Sequence, residues 1–231
     1  MKAFNTWFVG RVALIVFTCL GLIASVARPA PLVSYDFADA AENSTTAPVF
    51  SQATGINASS MTFTNTSGGG SGGFNDPDRW DGLATDAAWA TNNNTHHDGI
   101  YFEFTMTAEP GWIFSLDELT LDIAYNETRQ MRLNVRSSLD GFAENIAIIN
   151  PGDTGDTWEA RSVDLSELNG GEPLSNISFR LYPRQGSGVT GNNFYRGVFR
   201  DVAVTGMAIP EPGTLVLLGL SGLLLLKRRR I

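Results

Sequence analysis

From residue 32 to residue 206 apolar and polar positions alternate with period two, in short runs separated by turn residues. Successive side chains of an extended chain point to opposite faces, so this pattern predicts half-buried β-strands. The clearest run is 118–125, with Leu119, Leu121, Ile123 and Tyr125 on one face. Met131, Leu133 and Val135 alternate with Arg132, Asn134 and Arg136, and Ile177, Phe179 and Leu181 alternate with Ser178, Arg180 and Tyr182. Further strands are predicted over 33–37, 60–65, 99–107, 157–163 and 198–205, and Trp158 in the fourth of these reads as core. Helical stripes are absent apart from one turn near Leu165 and Leu168, ended by Asn169-Gly170-Gly171. The Gly/Ser tract 67–73 predicts a flexible loop. Short antiparallel strands with polar outer faces fit an all-β fold, an antiparallel two-layer β-sandwich of jelly-roll-like topology.

The pattern changes at both ends. At the N-terminus Lys2 and Arg11 precede an apolar run over 12–23, followed by Ser25-Val26-Ala27, a small-x-small site of the kind signal peptidase accepts. Residues 1–27 therefore read as a secretory signal peptide cut after Ala27, with Ala30 as the alternative. A run of about a dozen residues falls short of the roughly 20 that a permanent span requires. The C-terminal segment 209–231 has three parts: Pro210-Glu211-Pro212, an apolar run over 215–226, and Lys227-Arg228-Arg229-Arg230. Two prolines hold the backbone extended and remove donors from it, which suits docking in a peptidase cleft. The apolar run would make on the order of 18 Å of helix, short of a hydrocarbon core of about 30 Å, and the basic end would hold it on the cytoplasmic side. Between these ends, residues 28–208 are assigned to the sandwich.

This tail resembles the PEP-CTERM sorting signal in the order of its parts and in its place at the C-terminus. The resemblance implies recognition by exosortase, an integral-membrane peptidase of Gram-negative bacteria that typically make exopolysaccharide, with Pro210, Glu211 and Pro212 as the recognition residues. It also implies export by the general secretion machinery, membrane contact through the tail before processing, and a final place in the envelope or outside the cell. The stretch from Arg136 to Phe142, with Thr157-Trp158 and the later run from Phe199 to Gly206, is similar to a pattern common in PEP-CTERM ectodomains. Those resemble galactose-binding-like or concanavalin-like sandwiches. Asp140-Gly141 reads as a turn between strands.

The net charge of −8 hides an uneven distribution. Both ends are basic, whereas residues 28–209 hold ten arginines, 23 acids and no lysine, near −13. So acidic a domain repels phosphate backbones, which sets it against nucleic acid. Cys19 lies in the first apolar run, so a mature domain has neither a disulfide framework nor a cysteine-based zinc site.

Several stretches look chemical. Gly69-Gly70-Ser71-Gly72-Gly73 lacks the strand-turn-helix of a nucleophile elbow, and the glycines at 186, 188 and 191 lack the helix of a dinucleotide site. The adjacent His96 and His97 would point to opposite sides of an extended chain, awkward for one metal. Asp76, Asp78 and Asp81 are candidate oxygen ligands for calcium, without the spacing of an EF-hand, and Asp153 with Asp156 is an alternative. Trp80 and Trp89, in polar surroundings, are candidate sugar-stacking residues. No catalytic set stands out, although Glu103 is a conceivable acid for a carbohydrate-active site. The expectation is an exported envelope or matrix protein that binds exopolysaccharide. The alternatives are a polysaccharide hydrolase or lyase, and a calcium-dependent surface adhesin.

Overall fold

The computed structural model describes residues 30–37, 40, 44–66, 71–76, 79–84, 98–125, 131–150, 157–185, 195–211 and 213. They form two antiparallel sheets packed face to face. One sheet runs β12 (Glu159–Asp164), β9 (Trp112–Tyr125), β14 (Tyr195–Pro210), β1 (Ala30–Tyr35) and β3 (Ser51–Gln52), and β7 (Arg79–Ala84) joins β14 and carries β6 (Ser71–Asp76). The other runs β11 (Ala147–Ile149), β10 (Met131–Ser137), β13 (Asn176–Gln185), β8 (Ile100–Ala108), β5 (Met61–Asn65) and β2 (Thr46–Ala47), with β4 (Ile56–Ala58) on the far half of β8. From β8 onward the chain repeatedly crosses between the sheets, as in a jelly roll.

The alternation places Leu119, Leu121 and Ile123 of β9 in the core, facing Leu133 and Val135 of β10 and Ile177, Phe179 and Leu181 of β13. Aromatic side chains join the layers. Phe199 of β14 meets Phe102 of β8 edge-on at 4.8 Å and Phe37 at 5.5 Å. Tyr35 packs on Phe104, and its hydroxyl donates to the Ser59 carbonyl at 2.7 Å while burial pushes its phenol pKa upward.

Two bulges interrupt the period. On β14 the buried positions pass from Phe199 to Val202 and Val204, with the extra residue near Asp201, whose φ is 52°. On β9 they pass from Phe114 and Leu116 to Leu119, and the register shifts between Gly206 and Thr205 opposite. An extra residue on one strand flips every side chain beyond it, so a single-phase reading of 198–205 fails at its middle.

Three expectations change. Within the Gly/Ser tract, Ser71 to Gly73 open strand β6 and pair with Leu83, Gly82 and Asp81, because backbone groups alone suffice to make a ladder. Trp158 precedes β12 and is half-buried outside the core, stacked on the Arg200 guanidinium at 4.3 Å. The helical turn is a 3-10 turn at Leu168–Gly171, three residues later than expected, with Asn169 and Gly170 left-handed.

Strand β14 continues through Ile209 and Pro210 along the first residues of β9. β1 runs antiparallel to it from Ala30, opposite Gly206, so the start of β1 and the end of β14 lie at the same pole.

Candidate functional site

The outer face of the β8–β13 sheet carries an unusual arrangement of charge. In the register of β10 and β13, Arg132 stands opposite Arg184 and Arg136 opposite Arg180, with Asn134 and Tyr182 between them. Like charges placed directly opposite one another destabilise a strand pair. Four of the ten arginines of an acidic domain are nevertheless placed this way.

One of the two pairs is built into a stack. The Arg180 guanidinium lies between the rings of Phe142, at 3.9 Å, and Tyr101, at 4.1 Å. Its Nε donates to Glu103, the residue opposite it on β8, and its Nη1 reaches the Tyr182 hydroxyl at 3.4 Å. Arg136 lies 5.5 Å from the Tyr182 ring, and donates to the Phe142 carbonyl at 2.7 Å and to Asn145 Oδ1 at 2.8 Å. A planar guanidinium between two rings keeps its edge available for in-plane bonds, which suits it to carboxylates. The Arg180 side chain remains about one quarter exposed, at 25%.

The turn after β10 delivers Phe142 to this stack. Ser138–Asp140 is a 3-10 turn closed by Gly141 at φ 71°, and Phe142 follows at φ 64° with its N–H on the Ser137 carbonyl at 2.9 Å. The Asp140 carboxylate accepts from Glu144 N–H at 2.9 Å and Ala143 N–H at 3.2 Å. Asp140-Gly141 is thus a turn, and its product is the position of one aromatic ring. These N–H groups, Glu144 first, hold the Asp140 pKa below its ordinary value. The stabilisation is therefore complete above the unfolded-state pKa and lost as pH falls through the folded one. We expect the Glu144 amide, followed by NMR, to titrate with a midpoint below the value of about 3.9 typical of free aspartate. A midpoint at or above it would break the link between Asp140 and the turn.

Elsewhere the chemistry is sparser. A shallow hollow of about 330 Å³ lies between the edges of β11 and β12, lined by Ile148, Asn150, Arg161 and Ser162 among others. Arg161 crosses it to donate to the Asn150 carbonyl at 2.9 Å. Glu103, the conceivable acid, is bound to Arg180. Among the described residues no group of three or more His, Cys, Asp or Glu could hold a metal ion.

The calcium and stacking candidates fall on the β6–β7 hairpin and beyond. Asp76 ends β6 opposite Arg79, and Asp81 lies in β7 opposite Gly73. Trp80 is also in strand β7, opposite Phe199, where a polar loop was expected. Ala27, Asp78, Trp89, Pro212, both histidines and the apolar run 215–226 lie outside the described residues. Among those described, no helix is long and apolar enough to cross a membrane. Pro210 ends β14 opposite Trp112, and the Glu211 N–H donates to the Gly111 carbonyl at 2.8 Å.

The fold is an all-β sandwich of two antiparallel sheets, carrying a C-terminal sorting segment. Residues 208–230 match the family model of the PEP-CTERM protein-sorting motif, which marks an exported protein with a processed C-terminal tail. The chain matches no curated protein. Solved structures similar to it include a carbohydrate-binding module of family CBM4, at 12% identity and TM-score 0.39, covering 64% of this chain and 87% of the module. Another is the CBM22-1 xylan-binding domain of Paenibacillus barcinonensis Xyn10C, at 8% identity and TM-score 0.38, covering 79% and 97%.

Proposed function

We propose that this protein is an exported envelope or matrix component, sorted through its tail by exosortase, that holds exopolysaccharide on the outer face of the β8–β13 sheet. The observation that carries the ligand reading is the register of two arginine pairs on neighbouring strands, one of them stacked between Phe142 and Tyr101. The rung of Arg136 and Arg180 sets one carboxylate, Glu103, against two guanidinium groups, so the favoured ligand is an anion, a carboxylated polysaccharide. The rings supply apolar surface for a sugar face and the guanidinium edges supply donors for its carboxylate. The pairing of Glu103 with Arg180 speaks against the hydrolase reading, because that carboxylate is engaged by a cation and is not held opposite a second acid.

The test is retention of the secreted protein in affinity electrophoresis on a carboxylated polysaccharide and on the same polymer after carboxyl reduction. We expect retention on the first, weakened by salt, and little on the second. Arg180→Ala should weaken binding by about tenfold, the equivalent of one charged hydrogen bond. Equal retention on both polymers, or an unchanged Arg180→Ala protein, would remove the anionic ligand from the reading.

A further inference from the structure

The strand end that leads into the tail is bound to the sandwich. Ala208, Ile209 and Pro210 stand opposite Phe114, Ile113 and Trp112, and the Glu211 N–H donates to Gly111. The strip that receives them is itself pinned on both sides. Phe114 exchanges backbone hydrogen bonds with Leu174 at 2.9 and 2.7 Å. Trp112 packs directly on the backbone of Gly55, where φ is +85° and a Cβ would lie 2.3 Å from the indole Cδ2. The Gly55 carbonyl accepts from Glu109 at 2.9 Å, which ties the turn before β9 to the same point.

Peptidases commonly take an extended substrate by pairing with its backbone and pocketing alternate side chains. The Glu211 N–H, which such pairing would use, is already spent on Gly111. We propose that residues 111–114, backed by Gly55, form a binding site for the chain's own sorting box and compete with the processing peptidase for it. This rests on the reading of Pro210, Glu211 and Pro212 as the recognition element. The Glu211 side chain is exposed and Pro210 is half-buried, so these two residues of the box are visible in place but are taken up only when the last rungs of β14 open. Processing then runs at a rate set by the open fraction, and opening is local because these rungs lie at the end of the ladder.

The experiment is a pulse-chase of the full chain in its host, with loss of the intact C-terminal peptide followed by mass spectrometry. Gly55→Ala forces Trp112 off its seat and leaves the tail untouched, and we expect it to be processed about fivefold faster or more. A second variant covers the case in which that one fails to fold. It carries a Gly/Ser spacer of about six residues between Ile209 and Pro210, which frees the box while β14 keeps its rungs through Ile209. It should also be processed faster, and hydrogen exchange at the Glu211 amide should be slow in the native chain and fast in this variant.

Two controls separate the possible failures. The same spacer between Gly213 and Thr214 lifts the sandwich from the bilayer with the box still held, and should give no acceleration. Replacing Pro210, Glu211 and Pro212 together by alanine should block processing. Acceleration by either spacer alike, or wild-type rates with the box freed, overturns the holding site while a blocked alanine variant leaves the recognition reading standing. Normal processing of the alanine variant overturns the recognition reading itself.

Discussion

Phe199→Ala should lose about 3–5 kcal/mol of folding stability, a large share of what a domain of this size possesses. Phe199 is fully buried and meets Phe37 and Phe102 edge-on, so its ring joins β14 to the opposite sheet. Truncation removes the transfer energy of the ring and leaves a cavity between rigid strands that cannot collapse to fill it. Phe199→Leu retains most of the volume and should cost about 1–2 kcal/mol. Urea unfolding of the secreted domain measures both. A cost below about 1 kcal/mol for Phe199→Ala would mean that the sheets are held together elsewhere.

Gly206→Ala is expected to cost about 2–3 kcal/mol through the opposite fault, overfilling. A Cβ at Gly206 would sit 2.1 Å from the Ser115 carbonyl oxygen and 2.9 Å from Leu32 Cδ1. The leucine tip can turn aside, but the carbonyl belongs to β9 and moves only if β9 and β14 part at the bulge. Gly141 provides the comparison. It is left-handed, with φ 71°, yet a Cβ there meets nothing within 4 Å, so Gly141→Ala should cost only about 1 kcal/mol of backbone strain. Thermal unfolding should rank the two variants in that order, and the reverse ranking would contradict the close approach at Gly206.

The strands with unbroken alternation were legible in the sequence. Leu119, Leu121 and Ile123, and Ile177, Phe179 and Leu181, lie in the core as their spacing predicts. Segments lacking that pattern were not. β6 is held by backbone pairing through glycines, and β2 and β3 have two residues each, too few to show a period. The bulges on β14 and β9 were hidden for a related reason, since one extra residue reads as a brief lapse in alternation.

The stack at Arg180 was half visible. Its residues stood out as the polar face of 177–182, but its partners lie 77 residues back at Glu103 and on the turn at Phe142. Only the register brings them together. The nearest signal was the alternation of arginines at 132, 136 and 180 in a chain otherwise rich in acids.

The place of β14 also governs when this fold can exist. The strand lies inside its sheet, with β9 on one side and β1 and β7 on the other, yet it is the last of the described strands. On the expected export route, with the signal peptide leading, these residues follow every other described strand. Until they have crossed, β1 and β7 lack the neighbour that joins them to β9, and pairings of such long range form late. On that route the sheet travels unfinished. It closes when residues 195–210 emerge, only a few residues ahead of the apolar run that begins at Leu215.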